Sequence, residues 1–181
     1  PTKPIGPTFS ESEALSLPYP TVNTAKGYRR VVASPRPITI VEKREIRRLI
    51  QMGFIVIACG GGGIPVVKER RTFHGVDAVI DKDLASAVLA REVDAEMLVI
   101  ATDVEGAALS YGGPDQIFLR EMTPDEASVY LDRGEFPPGS MGPKVEAAVD
   151  FVRGTGKRAV ICHTRDILKA VEGQAGTRFS L

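Results

Sequence analysis

The sequence predicts an α/β protein with three layers, in which an open, mostly parallel sheet lies between two layers of helices. Three observations predict it. Strand-like apolar runs alternate with helical patterns, these runs are rich in β-branched residues, and the loops that follow them carry glycines and charges. Helices that alternate with strands buried on both faces favour a parallel sheet covered on each side. A proline-rich stretch at the start adds a small protruding lid.

The lid is predicted at residues 1–33. This segment is rich in proline and polar residues and contains one strand candidate, YRRVVA at 28–33. Such a composition is typical of an exposed segment more than of a core. The sequence SPRP at 34–37 has the character of a linker, so we expect the lid to move relative to an α/β lobe at 34–181.

The lobe begins with a helix and a strand. Residues 40–53 have apolar positions at helical spacing, and Gly53 is a helix stop signal. The continuous run FIVIAC at 54–59 is typical of a strand buried on both faces.

The same alternation continues to the end of the chain. Thr123 and Glu126 form the pattern of a capping box, which marks the start of one helix. The remaining predicted elements, in chain order, are a short strand at 78–80, a helix at 83–93, a strand at 96–102, helices at 123–134 and 143–156, a strand at 158–163 and a helix at 166–173.

Composition excludes several classes of function. Lys plus Arg equals Asp plus Glu at 23 each, so there is no general basic field for nucleic acid or acidic membranes. No apolar stretch approaches the roughly 20 residues needed to span a bilayer. Cys59 and Cys162 lie in apolar runs without a partner Cys or His, which predicts buried, reduced thiols in a cytoplasmic protein and no zinc site.

Candidate ligand-binding loops follow the predicted strands, because ligands of an open parallel sheet bind beyond the carboxyl ends of its strands. Four loops have this position: GGGGIP at 60–65, DKD at 81–83, TDVEG at 102–106 and HTRD at 163–166. The first three are unusual in composition. The fourth is assigned no role.

The GGGGIP loop lets the backbone approach a ligand closely and directs amide N–H groups at an anion. A tight turn is the alternative, but a turn needs only one or two glycines. The loop is not a Walker A sequence, and Pro65 stands where a dinucleotide-binding fingerprint has its last glycine.

The DKD triplet gathers Asp81, Lys82 and Asp83 at the start of a predicted helix. A solvated turn would explain the charges, and an N-cap role would explain Asp83 alone, but neither explains all three. We expect a site that holds and moves a phosphate.

The SMGPK sequence places Pro143 at the first helical position and Lys144 in the first turn. A lysine there opposes the helix dipole, which an exposed surface position tolerates and which a phosphate bound on the free amides would turn into an advantage. Thr102 and Asp103 could hydrogen-bond a ribose, or be a plain strand exit.

Six motifs together resemble one known family. In the order and spacing of carbamate kinases, within the amino acid kinase superfamily, the chain contains PTKPIGP, GYRRVVASPRPI, GGGGIPVV, GVDAVIDKDLASAVLA, SYGGPDQ and GEFPPGSMGPKVEAAVDFV. The similarity runs from Pro1 to about Arg178 and covers only the second part of the family chain. The family's first part, with its own Gly-Gly-Asn loop, is not in this sequence.

The resemblance implies an amino acid kinase-like fold and reversible phosphoryl transfer between carbamoyl phosphate and ADP, giving ATP and carbamate with Mg²⁺. It also implies a homodimer, a cytoplasmic location and a place in arginine metabolism. By similarity Lys3 reaches in from the lid, Lys82 and Lys144 hold phosphate oxygens, and Asp83 orients the lysines. No protein residue is expected to be a direct metal ligand.

The resemblance further implies binding residues. Gly61, Gly62 and Gly63 are expected to bind the substrate. The lobe at 34–181 is expected to bind the nucleotide through Asp81, Thr102, Asp103, Val104, Tyr111, Pro137, Met141 and Gly142. Asp81 is a second residue that could orient a lysine or contact the metal indirectly, and Tyr111 could instead be part of the core.

Two alternatives remain at this point. The protein could be another member of the superfamily, such as an acetylglutamate, glutamate or uridylate kinase. It could also be a nucleotide-binding fragment without turnover, since the Gly-Gly-Asn loop is missing. The chain by itself is expected to be inactive.

Overall fold

The computed structural model describes residues 3–181 as two groups of strands with six α-helices around them. Pro1 and Thr2, the first residues of the predicted lid, lie outside the described residues. The strands are β1 Lys3–Phe9, β2 Thr21–Thr24, β3 Gly27–Val32, β4 Val66–Glu69, β5 Thr72–Gly75, β6 Leu98–Thr102, β7 Ala108–Leu109, β8 Ile117–Phe118, β9 Glu121–Met122, β10 Ala159–His163 and β11 Thr177–Phe179. The helices are α1 Glu11–Ser16, α2 Lys43–Gln51, α3 Lys82–Glu92, α4 Pro124–Asp132, α5 Met141–Thr155 and α6 Ile167–Val171.

The predicted lid contains its own small sheet. β1, β3 and β2 pair antiparallel in that order, and α1 follows β1 behind a capping box of Ser10 and Glu13. β3 corresponds to the strand candidate at 28–33, whereas β1, β2 and α1 were not predicted. Their prolines and polar residues suit a thin sheet whose outer face contacts water. The division of the chain at residue 33 stays a prediction.

The main sheet has four strands in the order β6-β10-β11-β9. β6 and β10 pair parallel, as do β11 and β9, and only β10 and β11 pair antiparallel. The prediction of an α/β fold with a mostly parallel sheet is therefore confirmed. β11 was missed because its three residues are too few to show a period.

Helices cover both faces of the main sheet. Ala159 and Ile161 of β10 face the large core that contains Phe151 of α5, and all three side chains are fully buried. The alternate residue Cys162 faces a second, smaller core with Ala170 of α6. Successive side chains of a strand point to opposite faces, so α5 and α6 lie on opposite sides of the sheet, and the predicted three layers are present.

The prediction of a buried strand at 54–59 is wrong. The segment has no strand structure, and Ile55 and Ile57 are each 97% exposed. A β-branched run favours a strand only where another strand pairs with it, and none of the described strands does so. The predicted strand at 78–80 is likewise reduced to a single bridge between Ala33 and Ala78.

The neighbouring elements are also exposed. α2 lies within the predicted helix at 40–53, and Gly53, with φ of +86°, ends it as expected, but α2 has no buried residue. β4 and β5 form an exposed hairpin in a stretch that had no assignment.

A buried threonine ties the β6–β9 connection to β11, and its loss tests this packing. Thr177 is fully buried, accepts a hydrogen bond from the Ala107 N–H at 2.8 Å and donates to the Leu119 carbonyl oxygen at 2.5 Å. Thr177→Val leaves both groups without this partner, so we expect a loss of about 1–3 kcal/mol in the free energy of unfolding, measured by denaturant titration. The exposed control Thr164→Val should change it by less than about 0.5 kcal/mol. Equal effects would contradict the assignment.

Candidate active site

The centre of the site is the carboxylate of Asp83 in the first turn of α3. Its Oδ1 accepts a hydrogen bond from Lys82 Nζ at 2.8 Å, and its Oδ2 accepts one from Lys144 Nζ at 2.9 Å. The Asp83 and Lys144 side chains are 12% and 13% exposed, whereas Lys82 is 54% exposed. One largely buried carboxylate therefore holds two ammonium groups at the edge of solvent.

Asp81, and not Asp83, caps helix α3. Asp81 Oδ1 accepts a hydrogen bond from the Asp83 N–H at 2.9 Å. The alternative that Asp83 serves as the N-cap is wrong, because the cap position falls two residues earlier. With the capping role filled by its neighbour, the Asp83 side chain is available for the two lysines.

Small residues bring Asp83 and Lys144 together. α3 and α5 pack against each other, and Ala87 and Ala90 of α3 share a buried cluster with Ala147 and Ala148 of α5. Alanine side chains let two helices approach closely, since little volume lies between the backbones. The starts of both helices thereby meet.

The third lysine comes from the small sheet at the start of the chain. Lys3 Nζ of β1 lies 2.9 Å from Asp81 Oδ2, and Arg30 of β3 pairs with Asp77 at 2.5 Å. Both contacts join this sheet to the segment that leads into α3. Three lysines from three elements thus converge on the two aspartates of the DKD triplet.

The charged forms of these groups are favoured. Burial alone would raise the pKa of Asp81, but hydrogen bonds from Lys3 and from the Asp83 N–H, with the charge of Lys3, bring it below its ordinary value of 3.8. Burial alone would lower the pKa of Lys82, but the hydrogen bond and charge of Asp83 raise it above its ordinary value of 10.5. The cluster is therefore ionised near neutral pH.

A cleft of about 220 Å³ adjoins the lysines. Its walls come from the end of β6, the loop after it, and the loop that leads into α5. The lining residues are Thr102, Asp103, Val104, Ala108, Tyr111, Phe136, Pro137, Ser140, Met141 and Lys144. Lys144 belongs to both the cleft and the lysine cluster, so the two form one continuous site.

Six of the residues expected to bind nucleotide line this cleft: Thr102, Asp103, Val104, Tyr111, Pro137 and Met141. Asp81 lies outside it with Lys3. Tyr111 is 57% exposed, so the alternative that it belongs to the core is wrong. Ala108, Phe136 and Ser140 were missed, and only the aromatic Phe136 in a loop before a helix gave any signal.

Gly142 has a packing role instead of lining the cleft. A Cβ at this position would lie 3.1 Å from the Pro137 carbonyl oxygen, and the Gly142 N–H donates to that oxygen at 2.9 Å. α5 begins at Met141, two residues before the predicted start, so Pro143 is its third residue. Because Gly142 is engaged and Pro143 has no N–H, the expected phosphate site on free helix amides is reduced, and the charge of Lys144 is balanced by Asp83 instead.

The glycine loop contacts the start of α3. Gly62 has φ of +116°, and a Cβ there would lie 2.0 Å from the Ile80 carbonyl oxygen, so this glycine is required by the fold. A Cβ at Gly61 or Gly63 would meet nothing within 4 Å. These two positions leave the backbone open to a ligand beside Asp81.

The cysteine prediction is half right. Cys162 is buried, but Cys59, with φ of +61°, is only partly buried, because the segment before it does not join the sheet. Burial raises the pKa of both thiols. No group of three or more His, Cys, Asp or Glu side chains that could hold a metal ion exists among residues 3–181, and no helix in this range is long and apolar enough to cross a membrane.

Comparison with known proteins identifies relatives across nearly the whole chain. The model of the amino acid kinase family matches residues 9–163. Carbamate kinase of Pyrococcus horikoshii is 48% identical over 183 residues, which cover 98% of this chain and 58% of that protein.

Solved structures agree with this result. A crystal structure of a protein from Aeropyrum pernix K1 superposes with a TM-score of 0.93 at 44% identity, covering 100% of this chain and 60% of that one. Giardia lamblia carbamate kinase bound to AMP-PNP gives a TM-score of 0.88 at 42% identity, covering 99% and 59%. The predicted fold is confirmed, and the chain spans about three fifths of the length of the relatives that it matches.

The Lys3–Asp81 pair predicts how Asp81 titrates. Its lowered pKa means that this ion pair stabilises the folded chain above pH 3.8 and that the contribution is lost as the pH falls through the lowered value. Lys3→Met removes the donor and the charge but leaves the burial, so we expect the pKa of Asp81 to rise, measured by carboxyl ¹³C NMR titration. Lys169→Met, which removes the partner of Asp166 instead, is the control and should leave Asp81 unchanged. An Asp81 pKa of 3.8 or more in the unaltered chain would contradict the pairing.

Proposed function

The chain belongs to the amino acid kinase family, and we propose that its protein is a carbamate kinase, which transfers a phosphoryl group reversibly between carbamoyl phosphate and ADP to give ATP and carbamate. One observation carries the proposal. The Asp83 carboxylate holds Lys82 and Lys144 beside a cleft whose apolar walls and polar end suit a nucleotide.

The lysine cluster suits phosphoryl transfer because this reaction needs positioning and positive charge more than covalent help. Lys82 and Lys144 would contact the oxygens of the transferred phosphoryl group, where negative charge spreads. Asp83 would keep both ammonium groups charged and oriented before the nucleotide arrives. Preorganised donors of this kind lower the barrier because they need no rearrangement during the reaction.

The cleft would hold the nucleotide. Tyr111, Phe136 and Met141 offer apolar surface for the base, and Thr102 and Asp103 at the end of β6 offer hydrogen-bonding groups for the ribose. Lys144 then lies at the phosphate side. The glycine loop, through Gly61 and Gly63, would face carbamoyl phosphate together with Lys3, which the small N-terminal sheet delivers.

Mg²⁺ would enter with the nucleotide. The described residues offer no carboxylate cluster, and Asp81 and Asp83 are already paired with lysines. This fits an ion held mainly by phosphate oxygens and water, as Mg²⁺ often is at nucleotide sites. When bound it neutralises part of the phosphate charge, while the lysines position the transferred group.

The wider setting is proposed on the same basis. Two free cysteines fit a reducing compartment and hence a cytoplasmic location. A homodimer and a place in arginine metabolism are expected from the likeness to carbamate kinases.

An assay of acceptors tests the proposed reaction in the full-length protein. ATP formation from ADP should be observed with carbamoyl phosphate. In the opposite direction, acetylglutamate, glutamate and UMP should accept no phosphoryl group from ATP. Turnover with one of these and none with carbamoyl phosphate would assign a different kinase of the same family.

Substitution of the two lysines tests the site. Lys144→Ala or Lys82→Ala in the full-length protein should lower kcat for ATP formation by at least about 10²-fold, because each removes one electrostatic donor at a developing charge. Steady-state kinetics with thermal unfolding as a folding check would measure this.

Lys157→Ala is the matched control, because Lys157 also pairs with an aspartate, Asp94, and lies away from the cleft. It should keep its kcat within about twofold, since exposed ion pairs contribute little. A normal kcat for Lys144→Ala would remove the site assignment.

A further inference from the structure

One region of the chain is exposed in a way that the rest is not. Between residues 38 and 76, Gly62 is the only buried residue. Thirteen of the twenty-two exposed large hydrophobic residues of the described chain fall in this range. We call them the 38–76 surface: Ile38, Val41, Leu49, Ile50, Met52, Phe54, Ile55, Ile57, Ile64, Val66, Val67, Phe73 and Val76.

The exposure in this region is extreme. Ile55 and Ile57 are each 97% exposed, and Ile38 and Ile64 are 89% and 86% exposed. Single exposed apolar residues are ordinary, but a continuous stretch of this kind marks an interaction surface. The surface lies away from the lysine cluster, apart from the glycine loop within it.

The backbone in this region is unpaired as well. Residues 55–58 take part in none of the hydrogen bonds of the described residues, although FIVIAC has the β-branched composition of a buried strand. β6 has a neighbouring strand on one side only, so the main sheet also has an open edge. Unpaired strand-forming backbone is a template for pairing with another chain segment.

The relatives indicate what covers such a surface. The match includes residues 38–76, and the relatives carry a further two fifths of their length outside it. We propose that the 38–76 surface binds a polypeptide segment equivalent to those two fifths, and that residues 54–59 become a β-strand when it binds. The segment must present strands with apolar faces, because the surface offers unpaired backbone as well as aliphatic side chains.

The proposal rests on family membership and is independent of the phosphoryl transfer proposed above. Its test therefore measures association and hydrogen exchange, and not activity. A failure of catalysis would leave it standing, and the reverse also holds.

The experiment co-expresses this chain with the part of the Pyrococcus horikoshii carbamate kinase that lies outside the match. We expect a 1:1 complex by light scattering and a slowing of amide exchange at residues 55–58 by at least about 100-fold, since these amides gain strand hydrogen bonds.

Variants locate the contact. Ile55→Asp and Ile57→Asp should abolish the complex and the protection, while slow exchange in β10 shows that the chain remains folded. Leu168→Asp on α6, at a residue 81% exposed and outside the 38–76 surface, is the matched control and should still form the complex.

A second arm joins the same segment directly ahead of Pro1, so that the result does not depend on the solubility of the separate segment. Amides 55–58 should then exchange as slowly as those of β10. Fast exchange there in the joined protein would overturn the proposal. Protection of 55–58 in this chain alone, with two copies associated, would overturn it in favour of self-association.

Discussion

The bridge from Asp83 to Lys82 and Lys144 is the interaction on which the site depends. Lysines brought together without a counter-charge repel each other, and burial would favour their neutral forms. The largely buried carboxylate of Asp83 removes both problems and fixes the two ammonium groups relative to the helix starts. The close packing of α3 on α5 through alanines is what makes a 2.9 Å contact between the two helices geometrically possible.

A similar arrangement connects the small N-terminal sheet to the site. Asp81 caps α3 with one oxygen and holds Lys3 with the other, so one side chain serves the fold and the charge balance at once. Because the three lysines are paired before any ligand is present, a phosphate group would exchange one set of ionic partners for another. Such exchange costs less than creating ion pairs from fully hydrated groups.

The sequence allowed prediction where the signal is local. The capping box at Thr123 and Glu126, the alternation of helices and strands, and the DKD triplet are local patterns, and the structure contains each of them. The roles of the site residues rest on resemblance and remain proposals. Prediction failed where a partner decides the outcome: FIVIAC has strand composition, but a strand needs a neighbour. Which aspartate of the triplet caps α3 also escaped, because a shift of two residues exchanges the roles of Asp81 and Asp83.

The cleft shows the same limit. Ala108 and Ser140 line it only because the loops after β6 and before α5 come together, and nothing in either local sequence announces this. Gly142 was expected at the ligand, yet its hydrogen lies against the Pro137 carbonyl oxygen. Glycines carry no information about whether backbone or ligand approaches them, and only the fold distinguishes the two.

The most direct test of the account is a double-mutant cycle in the full-length protein, with Asp83→Asn and Lys144→Ala alone and combined. The measured quantity is kcat for ATP formation from carbamoyl phosphate. If Asp83 acts through Lys144, the double variant should be at most about threefold slower than the slower single variant, because residues that act as a unit are not additive. Fully multiplicative losses would show that the two residues act independently and would contradict the central role of the carboxylate.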